Sequence, residues 1–250
     1  SEEAREKVPP IPMGVLVADT EGGMGYMIQQ SLDNILHRKG IRRQIATVLT
    51  QVIVDKNDPS ILNPSKYVGP FYQEHEVKEI ESERGWNLRK DADRGFRRVV
   101  PSPLPLEIVE KDIVSDLIER DVVVIACGGG GIPVYREEDN TLEGVDGVID
   151  KDRASSLLGR EIGAKKLYIL TAVDKVALNF GTDFQEDLDR MNVAEAKGYL
   201  DAGEFPPGSM GPKIDAAISF LQDGGEEVMI TSVEKLSEAR KGKTGTRITK

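Results

Sequence analysis

Three short stretches of this 250-residue sequence combine residue types that chemistry can use. The first is Asp121 to Pro133 (DVVVIACGGGGIP), where an apolar run ends on Gly128, Gly129, Gly130 and Gly131. A backbone without Cβ atoms can take φ > 0 and turn its N–H groups onto an anion, and open α/β sheets bind ligands beyond the carboxyl ends of their strands. A plain turn after a core strand is the competing reading. Four glycines in a row lose more conformational entropy than such a turn requires, so a phosphate or carboxylate site is preferred. The second stretch is Asp150-Lys151-Asp152, two carboxylates and a lysine following Val148-Ile149 at a strand-to-helix junction. Asp150 suits a helix N-cap as well as it suits a chemical role. The third is Gly208-Ser209-Met210-Gly211-Pro212-Lys213, a glycine-punctuated loop with proline for the first turn of a helix and a lysine near that helix's N-terminus. It reads as an anion site or as an ordinary turn with a solvated lysine. Asn63-Pro64-Ser65-Lys66 says little alone, and Arg94, Arg97 and Arg98 read as a solvated basic face. The sequence contains no GxxxxGK[ST] phosphate loop and no His/Cys/Asp/Glu cluster with zinc spacing.

The net charge of −10 argues against nucleic acid or an anionic membrane as partner, so a bound anion must be met by a local cluster of cations. The single cysteine, Cys127, excludes an internal disulfide, fits a reducing cytosol and reads as a small buried residue. No run approaches the ~18 apolar residues that span a bilayer, and the charged start leading into Val8-Pro9-Pro10-Ile11-Pro12 is no signal peptide. The expectation is a cytoplasmic protein.

The elements that would carry these stretches follow from periodicity. Residues 1–12 are a charged, proline-rich lead without a strand, and the chain reads as starting in the middle of something. Met27, Ile28, Leu32, Ile35 and Leu36 predict a helix over 25–39, closed by Gly40. Arg43 to Asp55 reads as one long strand, ended by the turn Lys56-Asn57-Asp58-Pro59. Residues 60–100 change character and read as an inserted lid: a polar helix over 74–84 with short strands, and Trp86 as its packing centre. Leu106 to Arg120 predicts an amphipathic helix, and Val122 to Ile125 a buried parallel strand. A hairpin (134–136 with 144–149) follows, then helix 150–163, strand 166–171, helices 193–202 and 214–222, and strands 227–231 and 244–248. This alternation predicts a three-layer α/β/α sandwich with a mainly parallel central sheet and a small protruding lid, one domain over 1–250.

Taken together, VIVDKNDP (52–59), NPSK (63–66), VGPFY (68–72), RGFRRVVPSP (94–103), ACGGGGIPV (126–134), GVIDKD (147–152) and PGSMGPK (207–213) resemble carbamate kinase, of the amino-acid kinase superfamily. The resemblance runs in order from about Gly25 to the end. It implies reversible transfer of a phosphoryl group between ATP and carbamate, with Mg²⁺, as in fermentative arginine breakdown, by a homodimer. Residue by residue, it implies that Lys151 and Lys213 lie on the transferring phosphoryl group and the nucleotide phosphates, that Asp150 holds these lysines, and that Lys66 closes onto the carbamate side. Gly128 to Gly131 would approach the small substrate, with Thr171, Val173 and Met210 beside the nucleotide.

The sequence departs from the family in two ways. The GGNA loop and the HGNGPQ-like loop do not occur, so the expectation is that the N-terminal phosphate-loop unit is absent. The family's LTDV reads Leu170-Thr171-Ala172-Val173, and Ala18 to Gly23 (ADTEGG) differs from the usual AMSQG, which loosens the dimer or the adjoining sheet. Two alternatives follow: a kinase of another small acid, or a nucleotide-binding relic impaired by the missing loops.

Overall fold

The computed structural model describes residues 11–91 and 94–250, so most of the lead expected at 1–12 lies outside it. The chain divides into two compact units, the first running through Asp150 and the second covering Lys151–Lys250. Each alternates strand and helix.

The first unit opens with helix α1 (Met13–Arg38), which begins well before the expected Gly25. Its buried face is Met13, Val17, Glu21 and Gly25, spaced by four, and two of those residues carry no apolar signal. Gly25 is required by close approach, since a Cβ there would stand 2.2 Å from Cγ2 of Thr47. The stripe that suggested the helix is largely exposed instead, with Met27, Ile28 and Ile35 facing outward and Leu32 and Leu36 half-buried. Gly40 ends the helix as expected, at φ +67, its N–H donating to the His37 carbonyl.

The long strand expected over 43–55 is two strands in different sheets: β1 (Ile45–Thr47) and β2 (Gln51–Ile53). The chain leaves the first ladder at Val48–Thr50, where the Thr50 carbonyl accepts the Ile132 N–H and its own N–H donates to Glu21. β1 pairs in parallel with β7 (Val123–Ile125), in line with the reading of 122–125. β2 lies between antiparallel β6 (Glu107–Ile108) and parallel β8 (Ile132–Arg136), and β9 (Leu142–Gly144) closes the sheet as a hairpin with β8. β6 takes the start of the helix expected from Leu106, because Ile108 buries completely against Val52 in the ladder. Helix α4 is therefore only Lys111–Glu119. Ahead of it come a short α2 (Pro59–Leu62), capped by Asp58, and the excursion: β3 (Lys66–Tyr72), α3 (Glu74–Arg84), β4 (Asn87–Lys90) and β5 (Phe96–Val100). Its strands form a separate sheet in the order β3-β5-β4. α3 buries no residue and is held by its ends, a Gln73/Glu76 capping box and Gly85 at φ +64. Trp86 is not the centre of a core. It is half-buried, with the guanidinium groups of Arg84 and Arg98 4.9 and 4.6 Å from its ring centroid, while Tyr72, Leu88 and Val99 take the buried positions.

The second unit holds α5 (Lys151–Glu161), β10 (Lys166–Thr171), the hairpin β11 (Val176–Leu178) and β12 (Glu186–Leu188), β13 (Arg190–Asn192), α6 (Val193–Asp201), α7 (Met210–Gln222), β14 (Glu227–Ser232), α8 (Leu236–Arg240) and β15 (Thr246–Thr249). β10 and β14 pair in parallel, as do β13 and β15, and β14 meets β15 antiparallel in the order β10-β14-β15-β13. Ile214, Phe220 and Leu221 of α7 pack with Val228, Ile230 and Ile248 of the sheet, all fully buried. At about 1.5–3 kcal/mol for each such side chain, this packing holds α7 firmly on the sheet. α7 starts at Met210 rather than Ile214, so Pro212 and Lys213 fall in its first turn, where the missing proline N–H has no helical partner to lose.

Candidate functional site

In the glycine loop the chain turns through a single 3-10 turn over Gly128–Gly130, preceded by Cys127 at φ +55. Gly130 sits at φ +118, and a Cβ there would fall 2.2 Å from the Ile149 carbonyl oxygen. Only glycine lets the loop lie against the backbone that leads into Asp150. Most of the loop's N–H groups are already engaged. Gly128 donates to Oε1 of Glu21 at 3.0 Å, Gly130 to the Cys127 carbonyl at 3.0 Å and Gly131 to the Gly128 carbonyl at 3.2 Å. Among the described residues no acceptor meets the N–H of Gly129, an exposed residue at which even a Cβ would meet nothing within 4 Å. The loop thus offers one donor rather than a cradle of four.

Lys66 is the first residue of β3, and its Nζ lies 3.0 Å from Oδ2 of Asp150, with the lysine side chain 39% and the aspartate 11% exposed. The end of β5 is tied to the same stretch. Arg98 bonds Asp146 at 2.8 Å, and the Val148 N–H donates to the Pro101 carbonyl at 2.9 Å. A candidate lysine carried by the excursion is therefore brought to Asp150 within the first unit.

In the second unit, Lys213 and Asp152 form a pair that is almost closed to water. Nζ of Lys213 is 2.7 Å from Oδ2 of Asp152, and each side chain is 11% exposed. Lys151, 63% exposed, reaches the same oxygen at 3.7 Å. The resemblance gives the holding of Lys151 and Lys213 to Asp150; the described contacts add Asp152 on both lysines and put Asp150 on Lys66. Asp152 was missed because the capping question drew attention to Asp150, although Asp152 stands in the first turn of α5, where a carboxylate is favoured. Thr171 ends β10 and Val173 lies in the turn after it, both half-buried. Met210 opens α7, half-buried against the core of the second unit. Glu21, on which the glycine loop rests, was not anticipated either. Its one signal was position, an acid spaced by four from Met13, Val17 and Gly25.

Comparison with known proteins places this arrangement. Residues 72–232 match the Amino acid kinase family. Carbamate kinase of Pyrococcus furiosus is 47% identical over 246 residues, covering 98% of this chain and 78% of that protein. Carbamate kinase of Staphylococcus epidermidis is 46% identical over 243 residues, 97% of this chain and 78% of its own. Among solved structures, carbamate kinase from Giardia lamblia bound to AMP-PNP superposes with a TM-score of 0.91 at 41% identity, covering 99% of this chain and 78% of that one. The chain belongs to the carbamate kinase family and has its α/β sandwich fold. With 246 of 250 residues aligned, the likeness also takes in the segment before Gly25, further than the motifs alone reached.

Proposed function

We propose that this chain interconverts ATP and carbamate with ADP and carbamoyl phosphate. The observation that carries this reading is the 47% identity to a carbamate kinase over 98% of the chain. The residues suit the chemistry. Phosphoryl transfer asks little covalent help from a protein and depends on positioning and on cancelling spread negative charge. Lys213, buried and fixed by Asp152, is a cation whose place is set before substrate arrives, and Lys151 is an exposed one beside it. In this reading both meet the phosphoryl group and nucleotide phosphates, Lys66 and the Gly129 N–H meet the carbamate side, and Asp150 orients Lys66. Thr171, Val173 and Met210 lie by the nucleotide. Among the described residues no group of three His, Cys, Asp or Glu forms a metal site, so Mg²⁺ is proposed to enter on the nucleotide phosphates.

Residues 1–250 are proposed to work as one amino-acid kinase domain with 60–100 as its lid, a reading supported by the separate three-stranded sheet of the excursion. A homodimer is proposed from the exposed apolar residues of α1, Tyr26, Met27, Ile28 and Ile35. A cytoplasmic setting and a role in arginine breakdown belong to the same reading, and among the described residues no helix is long and apolar enough to cross a membrane. The test is ATP formation from ADP, coupled to hexokinase, with carbamoyl phosphate and acetyl phosphate as rival donors. Preference for carbamoyl phosphate supports the proposal. Preference for acetyl phosphate makes this a kinase of another small acid, and no ATP from either makes it a nucleotide-binding relic.

A further inference from the structure

Glu21 is a carboxylate with 2% exposure in the middle of a helix, and the reaction as described makes no use of it. Its two oxygens join three pieces of chain. Oε1 accepts the Gly128 N–H at 3.0 Å, and Oε2 accepts the Thr50 N–H at 3.2 Å. Thr50 in turn accepts the Cys127 N–H on its hydroxyl at 2.9 Å. A Cβ on Gly128 would lie 3.0 Å from Cγ of Glu21, so the side chain is packed directly under the loop. Desolvation pushes the Glu21 carboxyl above the usual carboxylate range, against the lowering effect of Thr50 and Gly128. The charged group facing it is Glu110, which adds repulsion and is itself engaged by the N–H and side-chain amide of Gln51.

We infer that Glu21 is a positioning residue that sets how strongly the glycine loop attracts the small acidic substrate. It grips the loop at Gly128 from inside, and its charge opposes the anion that the next N–H, Gly129, faces from outside. Consecutive Cα atoms are only about 3.8 Å apart, so a substrate oxygen on Gly129 stands on the order of 6–9 Å from a carboxylate nearly closed to water. Ionised, Glu21 weakens binding of the anion. Protonated, it keeps one acceptor for Gly128 and sheds the charge. Glutamine has nearly the same shape and is neutral at every pH; its carbonyl oxygen keeps the Gly128 contact, while its amide nitrogen cannot accept and gives up the one to Thr50.

This inference rests on the carbamate kinase reading for the identity of the substrate. The experiment compares KM for carbamoyl phosphate and for ADP across pH in the wild type and Glu21→Gln. In alkaline buffer the variant should bind carbamoyl phosphate more tightly by roughly 3- to 10-fold, with KM for ADP and kcat within about twofold. The ratio of the two carbamoyl phosphate constants should shrink toward one as pH falls, and titration of the substrate itself cancels in that ratio. A ratio near one at every pH, or an equal shift in KM for ADP, overturns the inference. If the variant does not fold, the wild-type profile carries the test alone: KM for carbamoyl phosphate, corrected for the substrate's own separately titrated ionisation, must rise with pH more steeply than KM for ADP corrected in the same way. A wild type that makes no ATP refutes the function reading instead. Titration calorimetry with inorganic phosphate then tests Glu21 separately, and an unchanged Kd in Glu21→Gln overturns its role.

Discussion

Replacing Lys213 by methionine perturbs fold and chemistry together, and the structure separates the two effects. The lysine keeps its apolar stem but loses the charge that neutralises Asp152 at 2.7 Å, both side chains being 11% exposed. Breaking a buried pair from one side costs about 3–5 kcal/mol, because the other charge is left uncompensated. Lys151 reaches the same Asp152 oxygen at 3.7 Å, which places the expected loss near the lower end, about 3 kcal/mol. Adding Asp152→Asn removes the charge that Lys213 balanced. The double variant should return to within about 1 kcal/mol of the wild type, since a neutral pair of similar volume is often as stable as the ionic one. Activity should not return with it, because in the proposed function kcat depends on the cation, and it should fall roughly 10²-fold or more in both variants. Urea denaturation gives the stabilities, and the hexokinase-coupled assay gives kcat per folded molecule. A double variant no more stable than Lys213→Met, or kcat of Lys213→Met within threefold of the wild type by the roughly tenfold-per-1.4 kcal/mol scale, would refute the reasoning.

Other perturbations should behave differently. Lys66→Met breaks a pair whose lysine is 39% exposed, so stability should change by no more than about 1 kcal/mol while activity falls about 10²-fold, as thermal melts and the same assay will show. Gly130→Ala sets a Cβ 2.2 Å from a backbone oxygen at φ +118 and should cost at least about 3 kcal/mol by urea denaturation. Gly129→Ala, at φ +69 with nothing within 4 Å, should cost only about 1–2 kcal/mol. Hydrogen exchange over residues 60–100 should slow when ADP and carbamoyl phosphate are added, because α3 buries no residue and the excursion has little core to hold it. An excursion fully protected before ligand is added would contradict a lid.

Legibility in the sequence followed the strength of the local signal. Strand 166–171 was readable because Leu167, Tyr168, Ile169 and Leu170 form a short apolar run after two lysines, and the parallel strand at 122–125 because four β-branched residues run together between Asp121 and the glycines. The break inside 43–55 was not, since Val48, Leu49 and Thr50 are as β-prone as their flanks. Only the separate partners of β1 and β2 divide the run. The hairpin of β11 and β12 was missed because Glu186-Asp187-Leu188 has no apolar alternation to announce it. α1 was entered too late because half of its buried face is a glutamate and a glycine. The candidate lysines stood out through their motifs. What holds them did not, because Asp152 and Lys213 meet across 61 residues of sequence, and no local pattern encodes such a contact.

The central claim is that this chain passes a phosphoryl group from carbamoyl phosphate to ADP without losing it to water. ³¹P NMR of the purified chain with carbamoyl phosphate, ADP and Mg²⁺ follows both fates in one tube. The account predicts that the γ-phosphate signal of ATP grows as carbamoyl phosphate disappears, faster than the spontaneous release of inorganic phosphate seen without protein. Carbamoyl phosphate that decays only to inorganic phosphate, at the same rate with and without the chain, would contradict it.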